Sequence, residues 1–389
     1  MMRVKKSEAL FLVDLVRSGL RGEAPSGVPS RIDWNRLFDL AAWNSVTGLT
    51  WRSVRLVEEV PDDAREKWEN SARVTALRKT LYDVEREQVI AELTRRGVSV
   101  MPVKGAVIAD LYPDAGMRSM ADNDVVYGFV ERRDDGVWVA QGGSPEARRE
   151  AAERARLIVL KVMGELGYAP LEVLPLETSH DVRFDKPPCL CFEMHHALLN
   201  SWYCNPGLLS NPWESSRPIA GFLREGGVGQ VMRRGQEMEY SHFVVHALKH
   251  LKSGGFGLRV LTDECVLLDA WNQSMDWNRV AEVLRTAGAE RFERDLRALA
   301  TRAMRGSFTG ADKAWIWRMV REGTYGIKVK KTYDIKARAL ASRMGLDDVT
   351  QLPLSPLSYV GNGAVSRPLL PLYSAVWRLH MRAKGHEGV

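Results

Sequence analysis

The 389-residue sequence predicts an α+β fold: a small mixed sheet with flanking helices, embedded in a largely helical protein. Three observations predict it. Short β-branched and apolar runs gather between residues 98 and 205, apolar positions at three- and four-residue spacing fill the stretches on either side, and the sheet-forming region carries its own helix start and stop signals. The chain accordingly divides into an N-terminal helical region (1–97), an α/β unit (98–205), a helical domain (206–310) and a basic C-terminal segment (311–389).

The opening stretch MMRVKKSEALFLVDLVRSGLRG reads as an amphipathic helix. Helical spacing recurs in DWNRLFDLAAWNSVTGLTWRSV and in ALRKTLYDVEREQVIAELTRRG, where Gly97 ends the helix. VSVMPV (98–103) is a buried strand, Lys104-Gly105 turns out of it, and a short helix follows to about Tyr112, stopped by Pro113. NDVVYGFV is the next strand, then comes the polar turn ERRDDG and a further run, VWVA. Ser144 as N-cap with Pro145 in first helical position opens a helix to about Gly167. Strands near 179–185 and 189–196 are joined by DKPP. Beyond about residue 212 the pattern is helical again, until LPLSPLSYVGNGAVSRPLLPLY, which reads as irregular chain packed on the body. The tetrapeptide DWNR occurs at Asp33–Arg36 and at Asp276–Arg279; aspartate caps a helix and tryptophan anchors its first turn, so the repeat is two helix starts.

Composition is that of an ordinary globular chain, 45% hydrophobic and 27% charged. Cys189, Cys191, Cys204 and Cys265 form no CxxC pair, so reduced thiols are expected. Asp14 and Arg17 break the first apolar stretch before it reaches membrane-span length and no other run approaches about 20 apolar residues, so no transmembrane segment and a cytoplasmic location are expected. The net charge of +6 is a property of the tail, because residues 311–389 hold 13 Lys or Arg against 6 Asp or Glu. Such a segment suits an anionic partner, RNA among them, or is a solvated basic face.

The chemistry points to KGAVIADLYPDAGMRSMADNDVVYGF (104–129). Strand side chains alternate, so Asp122 and Asp124 project together while Asn123 and Val125 point away. Two carboxylates so close repel, and a divalent cation with oxygen ligands relieves them. Glu193, between the core-facing Phe192 and Met194, is an acid in an otherwise apolar strand, costly to bury unless paired or metal-bound. His195 shares its face. Phosphoryl or nucleotidyl transfer needs such carboxylates around one or two metals. Gly105 lets the backbone approach a phosphate, and Lys104 and Arg118 bring positive charge to a triphosphate, Arg118 in a bidentate mode. His242, His246 and His250 lie four apart and share one helix face; two of them at i and i+4 offer zinc ligands, but a packed or substrate-facing stripe with Arg259 and Asp263 as candidate neighbours is the expectation, and the absence of HExxH removes a metalloprotease reading.

The order Lys-Gly, short helix, LYPDAGMRSM, then Asp-x-Asp before apolar residues resembles the polymerase-beta-like nucleotidyltransferase superfamily, most closely a poorly characterised bacterial branch with the pattern LKGxxLxxxLYPdpgxRpmxDxDlLv. IDWNRLFDLA, SHDVRFDKPPCLCFEMHHAL and HFVVHALKHLKSGGFGLRVLTDECVLL extend the likeness over about residues 30–310. Three departures stand out: Asn123 replaces an apolar residue, YGFVERRDDGVWVAQGG is longer than the usual link, and Lys104-Gly105-Ala106 lacks the Gly-Ser pair typical of the wider superfamily, as the branch itself does. The resemblance implies that Asp122, Asp124 and Glu193 bind Mg²⁺ or Mn²⁺, that Gly105 belongs to the nucleotide-binding turn, and that Glu193 draws a proton from the attacking group. It implies a nucleoside triphosphate, ATP among the choices, as substrate. The acceptor, whether small molecule, protein or RNA, is not identified by it. A binding module that kept the fold without the chemistry and a toxin-like transferase acting on transfer RNA are the alternatives.

Overall fold

The computed structural model of the chain describes residues 4–199, 207–219, 229–253 and 256–324. Cys204, the proline-dotted stretch and most of the basic tail, with the RNA contact weighed for it, lie outside these residues. Four helices open the chain: α1 (Lys6–Arg21), α2 (Trp34–Trp43), α3 (Thr47–Val54) and the 34-residue α4 (Asp62–Arg95). β1 (Ser99–Pro102), α5 (Gly105–Ala109) and β2 (Asn123–Gly128) follow, then β3 (Val130–Arg132), β4 (Trp138–Ala140) and α6 (Pro145–Glu165). β5 (Ala169–Pro170), β6 (Asp181–Lys186) and β7 (Leu190–His195) complete the α/β region. After them come β8 (Ser216–Pro218), β9 (Met232–Arg234) and the helices α7 (Gln236–Ser253), α8 (Leu258–Trp271), α9 (Trp277–Thr286), α10 (Glu290–Arg305) and α11 (Gly310–Glu322).

The main sheet is mixed, in the order β1-β2-β7-β6-β5, and only the β2–β7 pair is parallel. The expected fold class is therefore the observed one. Val125, Tyr127, Phe192, Met194, Val182 and Phe184 fill one face and form a core with α4 and α6. Met101 and Val126, of opposite parity, join the larger core of the helical body. One sheet thus separates two cores, and polar residues between them need partners.

Local signals account for the helix ends. Ser144 Oγ accepts from Ala147 N at 3.2 Å and Asp33 Oδ1 from Arg36 N at 3.0 Å. Asp276 Oδ1 caps α9 through Asn278 N and Arg279 N, so both DWNR copies are helix caps. Trp34 packs edge-on against Phe11 and Trp68, and Trp277 against Tyr240.

Two expectations are corrected. The chain beyond residue 212 is not helical throughout, since β8 and β9 pair as an antiparallel hairpin whose end bridges to β1 at Val100; three-residue strands are too short to display alternation. VWVA, read only as a further run, pairs with β3 in a separate two-stranded ribbon. The helix after Lys104 ends at Ala109, with turns leading on to Tyr112. Cys189, Cys191 and Cys265 are free thiols. No helix among the described residues is long and apolar enough to cross a membrane.

Candidate active site

Parallel pairing of β2 with β7 sets Asp124 opposite Glu193 and Val126 opposite His195. Side chains in register project to the same face, so Asp124, Glu193 and His195 share the face away from the α4–α6 core. Asp122 immediately precedes β2. Asn123, pointing the other way, is fully buried: its Nδ2 donates to Tyr82 O at 2.9 Å and its Oδ1 accepts from Arg86 at 3.0 Å. The polar residue where the resembling family has an apolar one is thus a tie between β2 and α4.

The site centres on one oxygen. Asp124 Oδ1 accepts from Lys104 Nζ at 2.7 Å and meets His195 Nε2 at 2.8 Å, while Glu193 Oε2 stands 3.8 Å from that nitrogen. Lys104, Asp124 and His195 are 8%, 5% and 1% exposed. Burial opposes the charge on Asp124, but the Lys104 ammonium and the His195 hydrogen bond outweigh it and hold its carboxyl well below the usual range. Glu193 has no such donor, and burial followed by the negative charges of Asp124 and Asp122 pushes it up to about 8. Burial and Asp124 likewise raise Asp122, against the opposing fields of Lys104, Arg259 and Arg183. Neighbouring carboxylates with their pKa values driven apart are the arrangement that separates an acid from a base.

Lys104 adopts φ 50° and ψ −120°, a region unfavourable for a side-chain-bearing residue. Surrounding bonds hold it there: its N–H donates to Glu239 Oε1 of α7 at 2.7 Å and its carbonyl accepts from Ile108 N at 2.9 Å. Next to it, a Cβ on Gly105 would stand 3.1 Å from Arg118 Nη1. Arg118 itself makes a bidentate pair with Asp263 of α8, at 2.8 and 2.9 Å, and reaches the Gly105 carbonyl at 3.3 Å. Tyr112 OH donates to the same Asp263 at 2.7 Å. The Arg118 fork expected to meet a triphosphate is here engaged by protein on both prongs.

The histidines of α7 form one edge-on stripe, with ring centroids 6.3 Å apart for His242–His246 and 4.5 Å for His246–His250. Burial, then the nearby cations Arg234 and Lys104, hold His242 well below the ordinary imidazole value. For His246 the causes are burial and then Lys104. Both rings are therefore neutral.

Among the described residues, two groups offer ligand atoms all within 4.8 Å of one another: Asp124, Glu193 and His195, and His180, Asp181 and His195. The first fits a divalent cation on the chemistry of its donors. Carboxylate oxygens suit Mg²⁺ or Mn²⁺, and the Lys104 ammonium holds the place of that positive charge against Asp124, where it would compete with an ion. The sequence reading passed over Glu239, three residues before His242 on one helix face, and Asp181, which faces His195 across β6–β7. Period-3 and period-2 spacing are the signals that would have found them.

A family model described as an uncharacterised nucleotidyltransferase matches residues 30–133 and 148–305. The break between the matched segments, residues 134–147, takes in β4 and the start of α6 and overlaps the stretch read as longer than the usual link. Among solved structures, the chain is similar to an antigenic nucleotidyltransferase-like protein from Paracoccidioides brasiliensis, at 11% identity and a TM-score of 0.25, over 62% of this chain and 95% of that one. A superposition that loose carries no argument. No curated protein matches the chain.

Proposed function

The chain belongs to the nucleotidyltransferase family whose model it matches, and from that premise we propose that it is a divalent-metal-dependent enzyme moving a nucleoside monophosphate from a nucleoside triphosphate to an acceptor. The observation that carries the reading is the β2–β7 register, which brings Asp124 beside Glu193 with a buried cation and imidazole between them. Asp122, Asp124 and Glu193 would hold Mg²⁺ or Mn²⁺, with His195 fixing the rotamer of Asp124. When bound, the metal neutralises phosphate charge and stabilises the leaving oxygen.

The acceptor's nucleophilic atom forms a bond to the α-phosphorus, the bond to the β-phosphate oxygen breaks, and pyrophosphate leaves with the electron pair. The nucleophile's proton would pass to Glu193, whose carboxylate form the charge of a bound metal would favour. Lys104 supplies a cation for the phosphates, and Gly105 leaves the backbone of the turn open. Arg118 braces that turn from α8 through Asp263. Catalysis is then mainly positioning and charge neutralisation.

Calorimetric titration of each nucleoside triphosphate with Mg²⁺ or Mn²⁺ tests the reading. Wild type is expected to bind in a metal-dependent way, and Asp124→Asn to bind at least about tenfold more weakly. Equal binding by the variant, or no metal-dependent binding by wild type, would reject the proposal and favour a fold retained for a non-catalytic role.

A further inference from the structure

A second polar cleft, of about 420 Å³, opens where the β8–β9 hairpin meets the start of α7. Arg217, Arg233 and Arg234 all line it. Arg217 and Arg233 are directly opposed in the hairpin register, and like charges so placed destabilise a strand pair unless an anion lies between them. Both are exposed, and neither has an ion pair among the described residues.

Arg234, paired with Ser216 and so on the other face of the ribbon, lies buried behind that pair, 6% exposed; its Nη1 donates to Met238 O at 3.4 Å, and its Nε and Nη2 have no hydrogen-bond partner. Its one acid neighbour, Glu239, stands 3.6 Å away and already gives its other oxygen to the Lys104 amide. Glu237, the other acid of the cleft, accepts from Gln236 and from the Asp276 amide. Burial outweighs the pull of Glu239, so Arg234 sits below the ordinary guanidinium pKa, as a cation without an adequate counter-charge does. The cleft lies at the positive end of the 18-residue α7. Pro102, Val107 and Trp271 add apolar wall.

We propose that this cleft is a phosphate-binding site for a small phosphorylated molecule. Guanidinium groups at a helix N-terminus match a phosphate oxygen set, and the volume is that of a small-molecule pocket rather than of a track for a polymer. Through Glu239 its wall is tied to the Lys104 turn, so a ligand here lies beside the candidate active site. The binding itself does not depend on the transfer chemistry.

Titration of inorganic phosphate into the full chain, without divalent metal, is the test. Wild type is expected to bind one phosphate saturably, the paired surface change Arg217→Gln with Arg233→Gln to weaken it at least about tenfold, and Asp124→Asn to leave it unchanged. Unaltered circular dichroism of the double variant separates lost binding from lost fold. Absence of saturable binding, or full binding by the double variant, overturns the proposal. Competition identifies the source: glycerol phosphate is expected to displace phosphate, whereas preferential displacement by a single-stranded RNA oligonucleotide, with steep salt dependence, would overturn the small-molecule assignment.

Discussion

Asp124 stays ionised inside a strand because two donors converge on one of its oxygens. His195 is held neutral by burial and by Lys104, so the nitrogen facing Asp124 carries the proton and Nδ1 is the unprotonated one, buried without a partner. Lys104 occupies Asp124 in the same way that a metal would. Lys104→Met should therefore have opposite effects on two ligands. Mn²⁺ alone is expected to bind roughly tenfold tighter, since a competing charge is gone, while nucleoside triphosphate with metal binds more weakly. Paramagnetic resonance of free Mn²⁺ measures the first and calorimetry the second. Weakening of both would mark Lys104 as merely structural.

β2 uses its alternation twice. Asp124 faces the site, and Asn123, one residue earlier, faces α4 and ties the strand to Tyr82 and Arg86. Asn123→Ala leaves the Tyr82 carbonyl and the Arg86 guanidinium short of a buried partner, and is expected to cost about 1–3 kcal/mol in urea denaturation. A loss within about 0.5 kcal/mol, the range of a surface substitution, would show that water replaces the amide and that β2 is held by its apolar residues alone. The turn before α5 is similarly tied at both ends. Glu239 of α7 holds the Lys104 amide, and Asp263 of α8 holds Arg118, which reaches the Gly105 carbonyl. Helices of the later region thus shape the turn of the sheet region.

The larger core includes residues of α1, α2, α3 and the later helices and reaches Met101 and Val126 on the sheet. Within it Tyr240 OH lies 2.7 Å from Glu264 and 3.1 Å from Glu293. One hydroxyl proton is shared between the two acids, and Oε2 of Glu264 is buried with no hydrogen-bond partner to stabilise a charge on it. Burial pushes Glu264 up to about 8 from an ordinary value of 4.5, despite the opposing Tyr240 bond. The folded state then holds a proton that the unfolded chain has released. Stability from this group is present below about pH 4.5 and is lost as pH rises through about 8. Glu264→Gln is expected to flatten that decline, by up to a few kcal/mol at pH 8 to 9, as read by urea denaturation across pH. An unchanged slope would mean that Glu264 is ionised in the fold.

Much of this protein was legible in local pattern. Period-2 alternation placed Glu193 with His195, turn and cap residues marked Ser144, Asp33 and Asp276, and the clustering of apolar runs located the sheet, whereas Asp122, expected on the strand with Asp124, lies just before it. Such signals belong to neighbouring residues, and the backbone's own geometry enforces them. What required the folded chain was pairing at a distance. That β2 lies parallel to β7, that Arg118 is taken by Asp263 145 residues away, and that the Lys104 amide meets Glu239 135 residues away have no local signature. Nor did the β8–β9 hairpin, whose strands are too short to show a period and whose arginines acquire meaning only when they face each other. A face follows from side-chain spacing along one segment, whereas a partner follows from which segments the cores on the two sides of the sheet bring together.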